Sequence, residues 1–168
     1  MKALKMKCDK NTFAEILEKH RGIIHKVSML YTNNREDQED LFQDICFQIC
    51  RSLNSYRKEA QLSTWLYRVA INTAISQVRK RKEIVFTEEK NIPLQYQTNN
   101  TEKDEQFQLL SRAISLLNKI DKAIILLWLE EKKYEEIAEI LGIGKSNVSV
   151  KLVRIKQYLS ETIKKLER

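Results

Sequence analysis

Breakers are scarce in this chain: three glycines and one proline in 168 residues. With Leu, Ile, Lys, Glu and Gln abundant, that scarcity favours helix throughout. No alternating apolar and polar run with hairpin turn chemistry is present, which excludes a sheet as the organising element. No stretch of about 20 apolar residues is present either, so no membrane-spanning helix is expected. The opening residues MKALKMKCDKNTF are charged and lack a long apolar core with a cleavage site, which argues against export. Cysteine is limited to Cys8, Cys46 and Cys50, an odd number without a partnering His or a second Cys pair. Cys46 and Cys50 are one helical turn apart, a spacing able to hold a metal, but they read as reduced thiols filling a helix face in a cytoplasmic protein. The two histidines, His20 and His25, share no constellation with Cys or acids, and no Gly-rich phosphate loop is present. No cofactor, metal site or catalytic centre is therefore expected.

A hydrophobic content of 42% excludes a mostly disordered chain, and the length suits one compact domain or two small helical ones. The net charge of +7 suits a polyanionic partner, but its placement says more than its sum. From Arg57 to Lys82 there are seven basic residues against one acid. From Glu83 to Glu105 there are six acids against Lys90 and Lys103. This reversal coincides with the only proline, Pro93, and with the polar stretch LQYQTNNTEK. The expected organisation is all-α, with two small helical domains, 1–82 and 105–168, joined by a flexible linker over 83–104.

Spacing predicts a first helix over Asp9–Tyr31, carrying Phe13, Ile16, Leu17, Ile23, Ile24, Val27 and Leu30 on one stripe. A second, about Arg35–Leu53, has an apolar side of Leu41, Phe42, Ile45, Cys46, Ile49 and Leu53. Asp40, Gln43, Asp44 and Phe47 follow i, i+3, i+4, i+7 spacing on its opposite side. That ridge reads equally as a solvated acidic face with a stray Phe or as a protein-docking surface. A short polar loop, Asn54–Gln61, then leads into LSTWLYRVAINTAISQVRKRK, with Ser63 or Thr64 as its N-cap. On a helix at about 100° per residue, Leu62, Leu66, Val69, Ala70 and Thr73 share one arc. Arg68, Asn72 and Arg79 share another, and Trp65 falls at the seam, where it can fill core or lie against a base.

In the second domain, a helix over Glu105–Leu117 brings Phe107, Leu110, Ile114 and Leu117 to one side. A strongly apolar helix follows around Ile124–Trp128, with Trp128 read as core. In YEEIAEILGIGKSNVSVKLVRIKQYL, Ile137, Ala138 and Leu141 form the buried side of a short helix and Gly142 ends it in the left-handed conformation. Ile143 plugs the turn, and a second helix starting near Gly144 or Ser146 buries Val148, Leu152, Ile155 and Leu159. A small Ala, a turn Gly and an apolar plug at these offsets make a helix-turn-helix. From Gly144 to Tyr158 there are four basic residues and no acid. Asn147, Ser149, Val150, Lys151, Val153 and Arg154 point away from the buried stripe, as a helix inserted in a major groove requires.

The pair EDLFQDICFQI and STWLYRVAINTAISQVRKRK resembles the second region of extracytoplasmic-function sigma factors of bacterial RNA polymerase. YEEIAEILGIGKSNVSVKLVRIKQYL is similar to the fourth region of the same family, and order, spacing and acidic linker match over nearly the whole chain. The resemblance implies no enzyme activity but promoter-specific transcription initiation on a core polymerase. It implies that Asp40, Leu41, Gln43, Asp44 and Phe47 dock on the beta-prime clamp. The Asn54–Gln61 loop, with Asn54, Tyr56 and Arg57, matches the −10 recognition loop, where a flipped base is held. Trp65, Arg68, Asn72, Arg79 and Lys80 match the helix that contacts the −10 element and assists melting. Lys145, Asn147, Ser149, Lys151 and Arg154 match positions that read the −35 element. The family commonly has Glu or Pro near Lys145 and Lys at Ser149, so the −35 sequence itself does not carry over. A beta-flap contact and an anti-sigma partner, commonly membrane-bound, are implied by the family alone. The alternative is a stand-alone helix-turn-helix regulator that binds its operator as a dimer.

Overall fold

The computed structural model describes residues 10–84 and 102–167, and the side chains of residues 10, 80–84 and 102–104 lie outside that description. The chain divides into two compact units, Met1–Lys90 and Asn91–Arg168. Most of the expected linker lies outside the described residues, as does Cys8.

The first unit holds α1 (Lys10–Tyr31), α2 (Arg35–Ser52), a 3-10 turn (Leu53–Ser55) and α3 (Leu62–Ile84). All three helices pack on one another. Ile16, Ile24 and Val27 of α1, Leu41, Ile45 and Ile49 of α2, and Leu53 of the turn are all buried. Asn34 caps α2: its Oδ1 accepts from the Asp37 N–H at 2.8 Å, satisfying one of the donors a helix start leaves open. The α3 start is not capped by Ser63 or Thr64. The helix begins at Leu62, with the Gln61 carbonyl accepting from the Trp65 N–H, so both hydroxyl residues lie inside the first turn.

The buried arc of α3 is wider than expected and turned. Leu66 and Ala70 are buried, but so are Thr64, Tyr67, Ile71 and Ala74, while Leu62, Val69 and Thr73 are half-exposed. The cause is that α1 and α2 both lie on this helix, so two neighbours cover it where spacing along one stripe implies one. Centring the buried arc near Tyr67 and Ile71 sets Trp65, Arg68, Asn72 and Arg79 on the opposite side.

The second unit holds α4 (Glu102–Ser115), α5 (Lys119–Leu129), α6 (Tyr134–Leu141) and α7 (Lys145–Leu166). The first of these, α4, packs against α7, and its Ala113 is fully buried while Phe107 stays 49% exposed. The expected stripe of Phe107, Leu110, Ile114 and Leu117 is thus only partly covered. Asn118 caps α5 through its side-chain oxygen, which accepts from the Ile120 and Asp121 N–H groups.

Helices α6 and α7 form the helix-turn-helix. Ile137 and Ile140 are the buried pair of α6, and Ala138 and Leu141 sit at its half-exposed flanks, a shift of the expected buried side by about one residue. Gly142 adopts φ 66°, and its N–H and that of Ile143 both reach the Ala138 carbonyl, satisfying orphan groups at the helix end. Nothing lies within 4 Å of where a Cβ on Gly142 would sit, so a side chain there is strained by backbone conformation and not by crowding. Gly142→Ala is therefore expected to destabilise the second unit by about 1 kcal/mol, and Gly142→Asn by less, read as thermal midpoints. The stripe of Val148, Leu152, Ile155 and Leu159 is buried as spacing predicts.

Candidate nucleic-acid interface

In the first unit, Asp40, Gln43, Asp44 and Phe47 stand on the outer ridge of α2, and Phe47 is 63% exposed. Leu41 is not on that ridge. It lies about 100° around the helix from Asp40 and is 1% exposed, part of the core behind the acids. Asp44 accepts a hydrogen bond from the Gln77 side chain of α3, which holds its carboxylate beside that helix.

The loop between α2 and α3 is built around Tyr56. Its hydroxyl donates to the Ala60 carbonyl at 2.7 Å, its N–H reaches Leu53 O, and its ring lies 5.2 Å from that of Trp65 at 41°. With only 7% of its surface exposed, Tyr56 ties the ends of the loop together. Asn54, Arg57, Lys58 and Glu59 are exposed around it, and Lys58 takes a left-handed φ of 58° at the tip. Trp65 and Arg68 are half-exposed, and Asn72 and Arg79 exposed, along one side of α3. The Lys80 side chain lies outside the described residues.

In the second unit, two of the four basic residues between Gly144 and Tyr158 make contacts within the fold. Lys151 Nζ lies 3.0 Å from Asp121 Oδ1, and the Lys156 ammonium sits 3.8 Å over the Trp128 ring. Both contacts seat α7 on α5. Trp128 is accordingly a half-buried cation platform and not core. Lys145 pairs with Glu135 of α6 at 2.5 Å, both exposed. What remains on the outer side of α7 is Ser146, Asn147, Val150, Val153, Arg154 and Gln157, all exposed, with Ser149 at its edge.

The family descriptions "Sigma-70 region 2" and "Sigma-70, region 4" match residues 16–84 and 107–159. The RNA polymerase sigma factor YlaC of Bacillus subtilis (strain 168) is 33% identical over 145 residues, covering 80% of this chain and 82% of that protein. The ECF RNA polymerase sigma factor SigW of the same organism is 25% identical over 174 residues, covering 95% and 93%. This chain belongs to the extracytoplasmic-function sigma factors. Among solved structures, sigma factor RpoE in complex with anti-sigma factor NepR from Bartonella quintana shares the fold, with TM-score 0.71 and 24% identity over 93% of this chain and 98% of that one. CnrH in complex with the cytosolic domain of CnrY does so at TM-score 0.68 and 15% identity, over 93% and 90%.

In this sigma factor the region 2 match spans the α2 ridge, the Tyr56 loop and α3, and the region 4 match covers α6, the turn and α7 as far as Leu159. Three positioning residues escape spacing arguments: Gln77, Lys156 and Asp121. Each acts through a partner distant in sequence, and the only local signal was polar character near a helix seam. Burial pushes the Cys46 thiol up, away from the reactive thiolate. Among the described residues no group of three or more His, Cys, Asp or Glu is placed to hold a metal, and no helix is long and apolar enough to cross a membrane.

Glu136 of α6 shows the electrostatics of the sigma factor's second unit. The Lys133 N–H donates to its carboxylate at 3.1 Å and Lys132 lies 3.2 Å away, holding its carboxyl below the usual carboxylate range. A carboxyl depressed on folding stabilises above its unfolded value, and that contribution is lost as pH falls through the folded one. Glu136→Gln is expected to lower the stability of this unit by about 0.5 kcal/mol near neutral pH and to leave it unchanged in acid, read from thermal midpoints across the carboxylate range.

Proposed function

We propose that this sigma factor confers promoter recognition on core RNA polymerase. The first domain, 1–82, docks on the beta-prime clamp and reads and opens the −10 element. The linker, 83–104, spans to the second domain, 105–168, which reads the −35 element and meets the beta flap. The observation that carries this reading is that one chain presents an acidic ridge with an exposed Phe47 in one unit and an uncovered, acid-free side of α7 bearing Asn147 and Arg154 in the other.

The physics of each surface supports it. Phe47 on the same ridge as Asp40 and Asp44 matches an apolar pocket beside basic residues on a partner protein. Arg57, Arg68, Arg79 and Lys80 neutralise phosphates, giving sequence-independent affinity that weakens with salt. Opening duplex DNA costs a few kcal/mol per unstacked step. Trp65, propped by Tyr56, offers about 1–3 kcal/mol of stacking to an unpaired base. In the second domain Asn147 and Arg154 read base edges, Lys145 and Ser149 contribute at the rim, and Lys151 orients the helix from behind. No bond is made or broken by this chain; the polymerase supplies the chemistry. Sigma factor RpoE solved in complex with the anti-sigma factor NepR, and CnrH solved in complex with the cytosolic domain of CnrY, support an anti-sigma partner for this chain.

The test is transcription by core polymerase on a genomic template library, with and without this chain. The chain is expected to direct initiation from a discrete promoter set, and to bind the same promoters only weakly alone in an electrophoretic shift. Tight dimeric binding without core polymerase, and transcription unchanged by the chain, would replace this reading with a stand-alone regulator.

A further inference from the structure

We propose that Val150 and Val153 read thymine methyl groups in the major groove of the upstream promoter element. The inference deepens the reading of α7 as the helix that enters that groove, and rests on it. Val150 and Val153 are 50% and 66% exposed, three residues apart and therefore neighbours on one side of the helix. The packing of the unit does not use them, since Val148, Leu152, Ile155 and Leu159 form the buried stripe on the other side. Beta-branched residues are also poorer helix formers than the Lys, Gln and Glu common elsewhere in this chain, so two exposed valines are not favoured by local propensity.

Their surroundings specify the occupant. Asn147 and Arg154, both exposed, flank the pair with an amide and a guanidinium, and Gly144–Tyr158 contains no acid that phosphates would repel. Lys151 and Lys156 are turned to Asp121 and Trp128, so the centre of the face is apolar and its charge is set to one side. A surface that only attracted phosphates would carry cations at its centre. The apolar group that B-DNA exposes in its major groove is the thymine C5-methyl, and side chains of this kind contact it. Arg154 and Asn147 then read purine edges beside thymines seated against the valines.

The experiment uses holoenzyme assembled from core polymerase and the full chain. Duplexes are selected from a pool randomised over the upstream element, and each thymine of the selected sequence is replaced singly by deoxyuridine, which removes the methyl alone. At two positions the replacement is expected to weaken binding about fourfold, the loss of one buried methyl-sized group. Val150→Ser and Val153→Ser are each expected to erase one of those two effects, and Arg154→Ala to preserve both. Serine has a helix propensity close to that of valine and both sites are exposed, so the variants keep the wild-type thermal midpoint. Selected sequences indifferent to deoxyuridine, or effects that persist in both serine variants, overturn the proposal while leaving α7 as the reading helix. Failure to select any upstream element, with Arg154→Ala silent, overturns the reading beneath it as well.

Discussion

Asp44→Lys is expected to weaken binding to core polymerase about 30-fold or more and to abolish transcription directed by this chain. Reversing a charge at the centre of a complementary interface exchanges attraction for repulsion, a change of about 2–5 kcal/mol. The substitution leaves the fold alone, because Asp44 is exposed and its contact with Gln77 is a surface hydrogen bond. Phe47→Ala is the apolar counterpart. Its ring is 63% exposed in the chain, so removing it costs little folding energy but about 2 kcal/mol of a docked complex. Leu41→Ala separates docking from folding: Leu41 is 1% exposed, and its truncation costs about 2–5 kcal/mol of stability. Titration of core polymerase with labelled chain, beside thermal melts, reads all three. Wild-type affinity in Asp44→Lys would remove the α2 ridge from the interface.

Arg154→Ala is expected to lower promoter-specific initiation about 10–100-fold and to relax base preference at one or two upstream positions. A guanidinium on the uncovered side of α7 can bond both acceptors of a guanine, and a good bidentate contact discriminates by about 1–3 kcal/mol. No hydrogen bond or ion pair engages Arg154 among the described residues, so its loss leaves the unit intact. Lys151→Ala separates reading from seating. Its ammonium is 3.0 Å from an Asp121 that is largely covered, so truncation lowers the melting midpoint of the second unit and leaves base preference unchanged. Selection from a randomised upstream element with each variant holoenzyme distinguishes the two. Equal loss of preference in Lys151→Ala would return that lysine to the DNA surface.

The helix-turn-helix was the most legible part of the chain. Its turn needs a residue able to hold φ 66°, and Gly142 supplies it at the offset where Ala138 can accept the closing hydrogen bonds. The α2 ridge was legible for a similar reason: spacing alone separates Asp40, Gln43, Asp44 and Phe47 from Leu41, Ile45 and Ile49. The inward side of α3 is not legible from its stripe of aliphatics, because the burial of Tyr67 and Ile71 depends on a second covering helix. The burial of Tyr56 is not legible locally, because nothing in the loop sequence says that its hydroxyl meets Ala60 O and its ring meets Trp65.

Residue order by itself determined the helices, their turns and which side chains share a face, because backbone propensity and a period of about 3.6 residues act over a few neighbours. Tertiary structure alone decided which charges are spent on the fold. Lys151 and Lys156 look like Arg154 in the sequence, yet Asp121 and Trp128 claim the first two. An ion pair or a cation over a ring depends on distances of a few ångströms between groups about 30 residues apart, and only the packed chain brings them within that reach.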